Sequence, residues 1–578
     1  MTQPYLQFDF TSALSNHHHL SFSDPIEILQ TSNVNEIEGI FLKIEQALEK
    51  GYYVAGFVSY EAAPAFDASY NVGEASNFPL VWFGVFHEPL NEEKHDSEPY
   101  QLSDWKLNTS FRQYEHNVKT IKAAIKRGDT YQVNYTTRMT SKFTGSSFDF
   151  YQHLQANQSA KYSAYLNIGN YQILSASPEL FFEKSENKIM TKPMKGTAKR
   201  GKTYSEDLSN KKELAESEKD QAENLMIVDL LRNDLGRIAL TDSIRVPKLY
   251  EIETYPTVHQ MTSTIEADID PDKKVWDWFK ALFPCGSITG APKIETMKFI
   301  KALENTPRNI YCGAIGYITP KKEAIFNVPI RTVLIDKEKK SATYGTGSGI
   351  TWDSTPENEF DEIWTKAKLL TVKPSSFELL ESILLENGTY PLLNFHLNRL
   401  EKSASYFQFK FNKEAVKSAL NEQATNFKDG NFKIRLTLNK NGDIKLDRNQ
   451  ITPTDSGINA AFSSNAVHSD DIFLYHKTTQ RDVYLEADEN LPASVQTALL
   501  WNENEEVTEF TIGNVVVEKD NKFYTPPVNC GLLAGTFREK LLLENKITEQ
   551  IITKEDVKNA DTIWFINSVR GWVKVNLL

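Results

Sequence analysis

A short polar run at Thr371–Ser376 (TVKPSS) interrupts this chain of 578 residues. It follows a lysine-rich segment of helical character, and a proline followed by two serines favours the end of a helix and the start of a connection. A chain of this length is too long for one hydrophobic core, so at least two domains are expected. The sequence predicts a first domain at 1–370, a linker at 371–376 and a second domain at 377–578.

Charge and cysteine content limit the classes of function. The net charge is -13 and no Lys/Arg-rich tract occurs, which argues against a nucleic-acid or anionic-membrane partner. Three cysteines (Cys285, Cys312 and Cys530) form neither a disulfide framework nor a zinc pattern, which suits a reducing compartment. No signal sequence or long apolar segment is evident. These features predict a cytoplasmic enzyme that acts on small metabolites.

Hydrophobic patterning predicts a mixture of helices and strands. Tyr171–Ser175 and Ala324–Val328 have the alternation of strands, and Glu213–Leu231 has the three and four spacing of an amphipathic helix. Phe432–Leu438 is a predicted strand that enters a hairpin turn at Asn439–Gly442. The α+β class follows for both domains.

Two pairs of acidic residues have helical spacing in the first domain. Asp220 and Glu223 are three residues apart, as are Glu359 and Glu362, so each pair lies on one face of a helix. Two acidic faces can share one cation. Taken alone, either pair is better explained as solvated helix acids.

Four segments of the first domain carry a family resemblance in their order along the chain. They are Thr191–Thr197 (TKPMKGT), Glu223–Asp234 (ENLMIVDLLRND), Gly286–Lys293 (GSITGAPK) and Asp353–Glu362 (DSTPENEFDE). Together they resemble the chorismate-utilising enzymes, which include anthranilate, isochorismate and salicylate synthases and aminodeoxychorismate synthase component I. The resemblance implies large layered sheets with flanking helices.

The resemblance also implies roles for particular residues. Glu223 and Glu362 are the first candidates for ligands of Mg²⁺, and Asp220 and Glu359 are further candidates. The ion would hold the ring carboxylate of chorismate. Arg331 and Tyr311 correspond to a carboxylate-binding pair, and His259 to a histidine near the leaving hydroxyl, although a packed core histidine stays open. Backbone N–H groups next to an anion are expected at Gly290, Ala291, Gly347 and Gly349.

Lys195 distinguishes among members of the family. Its position is typically alanine in anthranilate and isochorismate synthases, whereas in aminodeoxychorismate synthase component I it is the lysine that attacks the ring. The resemblance therefore implies covalent catalysis by a neutral Lys195 amine and a 4-amino-4-deoxychorismate product. No Gly-x-Cys-x-Gly stretch of a glutaminase is present, so a separate glutaminase subunit is implied as the source of ammonia.

A second ordered set follows residue 376. It consists of His396–Leu400 (HLNRL), His476–Thr479 (HKTT), Val507–Glu509 (VTE), Gly535–Thr536 and Asn567–Gly571 (NSVRG). This set resembles the fold-type IV pyridoxal-phosphate enzymes, which comprise branched-chain and D-amino-acid aminotransferases and aminodeoxychorismate lyase. The resemblance implies a domain of two α/β subdomains and leaves open a dimer formed through this domain.

Pyridoxal phosphate requires a lysine, an acid that faces its pyridine nitrogen and a phosphate cradle. The resemblance assigns these to Lys477, to Glu509, and to Arg399 with Thr536, while Asn514 assists. Ser382 lies where the lyase carries a helpful hydroxyl. The segment Glu509–Asn514 departs from the small residues that usually follow the glutamate, which puts the packing beside the cofactor in doubt.

Three readings of the whole chain follow. The leading one is a bifunctional enzyme of folate precursor synthesis, in which the second domain converts the product of the first to 4-aminobenzoate and pyruvate. The second is an anthranilate-type synthase joined to a D- or branched-chain aminotransferase, which Lys195 disfavours. In the third, one domain is a non-catalytic scaffold that binds a partner.

Overall fold

The computed structural model describes residues 3–14, 19–74, 76–90, 98–158, 160–372, 376–451, 457–489 and 491–578. The chain forms two compact units. The first comprises Met1–Lys199 with Lys211–Pro374, and the second comprises Arg200–Asn210 with Ser375–Leu578. Of the predicted linker at 371–376, residues 373–375 lie outside the described residues. Within those ranges no helix is long and apolar enough to cross a membrane.

Strands form most of the first unit. They are β1 (Tyr5–Phe10), β2 (Leu20–Ser23), β3 (Glu27–Thr31), β4 (Tyr53–Val58), β5 (Val81–Phe86), β6 (Tyr100–Leu102), β7 (Lys106–Leu107), β8 (Gln132–Gly145), β9 (Tyr162–Asn167), β10 (Tyr171–Ser177), β11 (Leu180–Ser185), β12 (Lys188–Lys192), β13 (Met194–Lys199), β14 (Arg245–Thr254), β15 (Val258–Asp268), β16 (Gly290–Ala291), β17 (Ala314–Ile318), β18 (Ala324–Asn327), β19 (Thr332–Asp336) and β20 (Ser341–Ile350).

These strands make two large sheets. One runs in the order β16-β8-β20-β19-β10-β9-β1-β2, and the other in the order β13-β15-β12-β11-β18-β17-β4-β5-β3. Aromatic side chains from both sheets share one core; the rings of Phe10 in β1 and Tyr317 in β17 stack with centroids 6.0 Å apart. Burial of several such rings contributes roughly 1.5–3 kcal/mol each. The predicted layered sheets are confirmed.

Helices cover the outer faces of this unit and include the two that carry the acidic pairs. They are α1 (Ile37–Glu49), α2 (Phe111–Arg127), α3 (Ser147–Gln158), α4 (Tyr204–Glu216), α5 (Glu218–Gly236), α6 (Val275–Leu282), α7 (Lys293–Leu303) and α8 (Pro356–Ala367). The first part of α4, residues 204–210, belongs to the second unit. The single helix predicted over 213–231 is wrong, because Ser217 is extended between α4 and α5 and its side chain accepts a hydrogen bond from the N–H of Asp220.

The second unit has two subdomains, as predicted. A three-stranded sheet, β21 (Leu379–Glu386), β22 (Asn431–Leu438) and β23 (Ile444–Gln450), packs on α9 (Leu393–Phe407) and α10 (Lys413–Asn426). An eight-stranded sheet contains β24 (Ile458–Phe462), β25 (Thr497–Trp501), β26 (Val507–Phe510), β27 (Gly513–Lys519), β28 (Lys522–Thr525), β29 (Thr548–Glu549), β30 (Thr562–Asn567) and β31 (Gly571–Leu577). The remaining helices are α11 (Asp482–Glu489), α12 (Thr536–Leu543) and α13 (Lys554–Lys558).

The segment Arg200–Asn210 is part of the second unit although it precedes α5 in the chain. Within that unit the guanidinium of Arg200 lies 4.2 Å from the ring centroid of Tyr406, and the Tyr406 hydroxyl donates to the carbonyl of Gly201 at 2.8 Å. The predicted boundary at residue 370 therefore misses these eleven residues, which belong to the second unit. Local sequence patterns do not identify a stacking partner that is distant in the chain.

Candidate active sites

A cavity of about 530 Å³ in the first unit lies between β13, β20, α5 and α8. Its walls combine one buried amine, carboxylates from two helices and glycines of β20. The predicted site residues that line it are Lys195, Asp220, Glu223, Tyr311, Arg331, Gly347, Gly349, Glu359 and Glu362. Residues far apart in sequence thus meet in one place.

Lys195 extends from β13 into this cavity. Burial is the largest influence on the pKa of Lys195 and lowers it; the carboxylates of Glu223 and Glu179 oppose this shift, and the nearby ammonium of Lys366 adds to it. The residue lines the cavity, although its amine is buried. A lysine with a lowered pKa in a cavity is suited to act as a nucleophile.

Two side chains beside Lys195 were not predicted from the sequence. Glu179 is buried, its Oε1 has no hydrogen-bond partner among the described residues, and burial raises the pKa of its carboxyl to about 7. Gln132 is fully buried, and neither polar atom of its side chain has a partner within the described ranges. Buried polar atoms are almost always satisfied, so Glu179, which lines the cavity, has an oxygen ready to bind a ligand there. Gln132 does not line the cavity, but its amide lies close to the Lys195 amine. Only their isolated polarity within apolar strand patterns could have indicated them.

Gly349 allows the close approach of these groups. A Cβ at Gly349 would lie 2.8 Å from Lys195 Nζ and 2.1 Å from Gln132 Nε2, so any other residue there would displace the amine. A Cβ at Gly347 would lie 2.3 Å from the carbonyl oxygen of Tyr135 in the neighbouring strand. Both glycines line the cavity, which agrees with their predicted contact with substrate.

The four predicted metal ligands occur as expected on α5 and α8. Burial raises the pKa of Glu223, and the like charges of Asp220 and Glu359 add to the effect, although Lys195 and Lys219 oppose it. Glu362 forms an ion pair with Lys366 at 2.6 Å, and Glu359 accepts a hydrogen bond from Ser348. In the described part of the chain no three acidic, His or Cys side chains converge closely enough to hold a metal by themselves.

Arg331 and Tyr311 occupy the wall of the cavity below the glycines. Arg331 has a left-handed backbone (φ 52°), and its Nη1 donates to Gln158 Oε1 at 2.8 Å. The Tyr311 ring lies against Gly345 and stacks with the guanidinium of Arg138, 5.0 Å from the ring centroid. Strain at Arg331 is consistent with a functional position, where such conformations are concentrated.

Three predicted residues do not reach this cavity. His259 is buried in β15, where its Nδ1 lies 3.1 Å from Thr254 Oγ1, and the cavity is lined by its neighbours Val258 and Gln260 instead. The structure therefore favours the packed histidine. Gly290 and Ala291 form β16 and pair with β8, and a Cβ at Gly290 would lie 2.0 Å from the carbonyl oxygen of Gln132. Their contribution is to the position of Gln132.

Lys477 of the second unit resembles Lys195, because burial lowers the pKa of its amine as well. Burial, followed by the positive charge of Arg399, lowers the pKa of Lys477 to about 7, although Glu381 and Glu509 oppose the shift. The Lys477 carbonyl accepts from the N–H of Leu380 at 2.9 Å, which ties this segment to β21. Half of the amine is therefore neutral near neutral pH, as a cofactor-binding lysine requires.

Glu509 is held on both carboxylate oxygens. Its Oε1 accepts from the Tyr484 hydroxyl at 2.8 Å and from the N–H of Leu533 at 3.1 Å, and its Oε2 accepts from Asn514 Nδ2 at 3.2 Å. Burial nevertheless raises the pKa of Glu509 to about 7. A protonated ring nitrogen of a cofactor would supply the missing positive charge, so the acid fits its predicted role.

The predicted phosphate contacts meet at the start of α12. Arg399 donates to both oxygens of Glu381, at 2.8 and 2.6 Å, and its Nη1 donates to the carbonyl of Ala534 at 3.2 Å. A Cβ at Gly535 would lie 1.9 Å from Asn514 Oδ1, so this turn requires glycine. Thr536 follows as the first residue of α12, and a helix N-terminus beside an arginine binds phosphate well. Glu381 was not predicted from the sequence.

Ser382 lies on β21, where its carbonyl accepts from Ser568 Oγ at 3.2 Å. Its side chain faces away from the apolar core formed by Leu379, Ile383 and Leu385. Ser382 is therefore on the same side of the sheet as the turn at 567–571, but no hydrogen bond links its hydroxyl to Lys477.

The fold and the two sites define an enzyme with a chorismate-binding type of architecture in its first unit. Residues 2–372 match the family model of the chorismate binding enzyme, and residues 378–578 match that of amino-transferase class IV. Because the first match covers more than half of the chain, the chain belongs to the chorismate binding enzyme family.

Individual relatives agree with this assignment. Aminodeoxychorismate synthase component 1 of Salmonella typhimurium is 38% identical over 269 residues, which are 46% of this chain and 59% of that protein. Anthranilate synthase component 1 of Aquifex aeolicus is 36% identical over 275 residues, 48% of this chain and 55% of the relative. The chain thus spans less than two thirds of the length of these relatives. The crystal structure of anthranilate synthase component I from Streptococcus pneumoniae superposes with a TM-score of 0.52 at 26% identity, covering 64% of this chain and 90% of that one.

Proposed function

We propose that this chain makes 4-aminobenzoate in two steps. The first unit aminates chorismate at C4 to give 4-amino-4-deoxychorismate, and the second unit removes pyruvate from that product. The observation that carries the proposal is the Lys195 amine, with its lowered pKa, inside a cavity that also contains Arg331 and Glu179, whose Oε1 has no hydrogen-bond partner among the described residues. Similarity to aminodeoxychorismate synthase component 1 supports it.

In the first unit the neutral Lys195 amine adds to the ring carbon next to the carboxylated one, both ring double bonds shift by one position and the 4-hydroxyl leaves. Glu179, whose pKa is about 7, donates the proton with which that hydroxyl departs as water. Ammonia then adds at C4 and loses a proton, both double bonds return to their original positions and the lysine is released. Gln132 is a buried amide next to Lys195, with one donor group and one acceptor that would position the lysine amine.

Mg²⁺ fits the acidic groups of this cavity. Carboxylate oxygens are its preferred protein ligands, and magnesium commonly takes only one or two of them and completes its shell with water and substrate. The mutual repulsion of Glu223, Asp220 and Glu359 would be relieved by a cation. Glu223 and Glu362 hold the ion, supported by the other two acids, and it supplies positive charge for the ring carboxylate of chorismate.

Ammonia is supplied by a separate glutaminase subunit. The similar proteins from Salmonella typhimurium and Aquifex aeolicus are each named as component 1, which supports a second component. Ammonium salts should replace the glutaminase in a purified system. The three cysteines are buried and free, which supports a reducing, cytoplasmic location.

In the second unit pyridoxal phosphate is held by Lys477, Glu509, Arg399 and the Gly535–Thr536 turn. When bound, it supplies an electron-withdrawing group for the carbon that carries the substrate amine. Lys477, with a pKa of about 7, accepts the proton from that ring carbon and returns a proton as pyruvate leaves. The ring becomes aromatic, which drives the step.

The test is an assay of the purified chain with chorismate, Mg²⁺, ammonium and pyridoxal phosphate. Formation of 4-aminobenzoate and pyruvate together supports both steps. Aminodeoxychorismate alone would overturn the lyase assignment of the second unit. Formation of 2-aminobenzoate would overturn the role of Lys195.

One alternative keeps specific support. Similarity at 36% identity to anthranilate synthase component 1 fits an anthranilate-type synthase joined to an aminotransferase. It predicts 2-aminobenzoate as the product of the first unit and transfer of an amino group to 2-oxoglutarate by the second. Lys195 disfavours it, because an alanine is typical at this position of anthranilate synthases.

A further inference from the structure

One face of the three-stranded sheet β21–β22–β23 in the second unit carries positive charge. Leu379, Ile383 and other alternate residues of β21 pack against α9 and α10. Side chains of the intervening positions point to the opposite face. There Ser382 lies directly across from Arg435 of β22, and Lys433 lies two residues further along the same strand on the same face. Lys433 and Arg435 both have solvent-exposed surface, and the Lys433 ammonium is partly removed from solvent.

Two further arginines approach this face from neighbouring segments. Arg570 is in the turn that joins β30 to β31, and Ser568 of that turn donates to the carbonyl of Ser382 at 3.2 Å. Arg481 is four residues beyond Lys477, and the residue after that lysine, Thr478, forms a β-bridge with β21. Backbone contacts therefore place both segments against β21.

The charges of these groups influence one another. Burial, followed by the positive charges of Arg435, Arg570 and Arg481, lowers the pKa of Lys433. Arg481 donates to the carbonyl of Thr511 at 2.5 Å, and its guanidinium lies 4.3 Å from the ring centroid of Tyr484. Tyr484 in turn donates to Glu509. Arg481 is thus connected to the Lys477 site by direct contacts, and the other two arginines are close enough for the three charges to act together on Lys433.

None of these four cations forms an ion pair with a carboxylate in the described part of the second unit. Asp447 of β23 lies opposite Arg435, but the cation nearest to it is Lys445, whose Nζ is 3.8 Å away. Like charges gathered without counter-charges repel, and a bound anion with two separated negative groups would relieve the repulsion. Arginine and lysine together are suited to bind carboxylates.

We propose that Lys433, Arg435, Arg481 and Arg570 bind the carboxylates of a dicarboxylate substrate beside Lys477 and thereby select it over neutral or monocarboxylate amines. The inference rests on the proposed function of the second unit, because 4-amino-4-deoxychorismate carries one carboxylate on its ring and another on its enolpyruvyl group. Four cations, two on β22 and two on the segments that contact β21, match a substrate with two anionic groups. Ser382 adds a hydroxyl between them.

The test uses the full chain loaded with pyridoxal phosphate, and isophthalate and benzoate as aromatic probes with two and one carboxylates. Binding is followed by the absorbance of the cofactor, which reports on the second unit alone. In Arg435→Gln and Lys433→Gln the dissociation constant for isophthalate should rise about tenfold, with a smaller change for benzoate. Lys417→Gln removes a charge from α10 on the other side of the sheet and should leave both constants unchanged.

Equal affinity for isophthalate in the wild-type chain and in variants that retain the cofactor spectrum would overturn the proposal. A second measurement separates it from the lyase function. If the wild-type chain releases pyruvate, the variants should raise KM for aminodeoxychorismate about tenfold while kcat changes less than about threefold. If no pyruvate forms but isophthalate binding still depends on Arg435, the anion site stands and the lyase function fails.

Discussion

Each unit contains one lysine proposed to act in catalysis, but the neighbouring charge with the largest effect on its pKa is negative for Lys195 and positive for Lys477. Glu223 and Glu179 are the groups that most strongly raise the pKa of Lys195, whereas Arg399 is the neighbour that most strongly lowers the pKa of Lys477. Burial lowers the pKa of both. Near Lys195, burial lowers the pKa although carboxylates suited to bind a cation oppose it. Near Lys477, burial is helped by arginines, which are suited to bind anions.

Near each lysine lies a buried acid, Glu179 or Glu509, and burial raises the pKa of each to about 7. The two acids differ in how many of their oxygens accept hydrogen bonds. Glu179 has an oxygen without a partner among the described residues, whereas three donors hold Glu509. An acid with an open oxygen can give up a proton to a substrate. An acid held on both oxygens can keep a positively charged ring nitrogen in place. Under the proposed function, Glu179 is therefore suited to proton transfer and Glu509 to electrostatic support of the cofactor.

The largest expected effects come from removing each lysine separately. Lys195→Ala should lower aminodeoxychorismate formation by about a thousandfold or more, since the nucleophile is lost, and should leave pyruvate release from supplied aminodeoxychorismate intact. Lys477→Ala should do the reverse and should also prevent the cofactor absorbance from appearing. Both activities are measured on the same preparations by product chromatography.

Lys188→Ala provides a matched control, because Lys188 is an exposed lysine of β12 in the first unit. Mixing the two active-site variants should restore 4-aminobenzoate formation, since each supplies one step. The division of labour between the units would be contradicted if Lys195→Ala retained amination, or if either variant lost both activities while remaining folded.

A smaller effect is expected from Glu179→Gln, at roughly a hundredfold loss of amination. The acid must be protonated to act, so wild-type amination should fall as pH rises through about 7, where Glu179 loses its proton. The variant should lack this falling limb while keeping the rising limb that reports loss of the proton from Lys195. Rates with ammonium, corrected for the concentration of free ammonia, give the two profiles. An unchanged falling limb in the variant would assign it to another group.

Much of this architecture could be predicted from the sequence because its signals are local. The acidic pairs of α5 and α8 follow from three-residue spacing, and the hairpin of β22 and β23 follows from strand alternation and a turn with glycine. Lys195, Lys477 and Glu509 stand within motifs whose order indicated a family. Local patterns of this kind are read directly from the chain.

The remaining features depend on contacts between distant residues. Gln132 and Glu179 stand in strand-like sequence, and only the fold brings them beside Lys195. Gly290 was predicted to bind an anion, yet its neighbour in space is the backbone of β8. His259 was predicted near the leaving hydroxyl, and the alternation of β15 places its neighbours at the cavity instead. Successive side chains of a strand point to opposite faces, and a sequence motif does not show which of two neighbours faces a cavity.

The pH dependence of cofactor binding sharpens the contrast further. An ordinary lysine has a pKa of about 10.4, whereas the pKa of Lys477 is about 7. The rate at which pyridoxal phosphate reacts with the cofactor-free chain should rise about tenfold per pH unit below pH 7 and level off above it, because only the neutral amine reacts. Absorbance at several pH values measures this rate. Lys195→Ala should give the same profile, and a rate that still climbs steeply above about pH 8 would contradict the lowered pKa.

The smallest effect concerns the helix that carries two of the acids around Lys195. The Ser217 hydroxyl accepts from the N–H of Asp220 at 3.2 Å and donates to its carboxylate at 2.6 Å, so Ser217→Ala removes the cap of α5 and should lower the free energy of unfolding by about 1 kcal/mol. Amination should fall less than about threefold, because Asp220 supports rather than forms the nucleophile. Thr553→Ala removes an equivalent cap from α13 in the second unit and should leave amination unchanged. Chemical denaturation, followed by the loss of each activity, measures the free energy of unfolding of both variants. An equal loss of amination in the two variants would show that the acids of α5 do not depend on its cap.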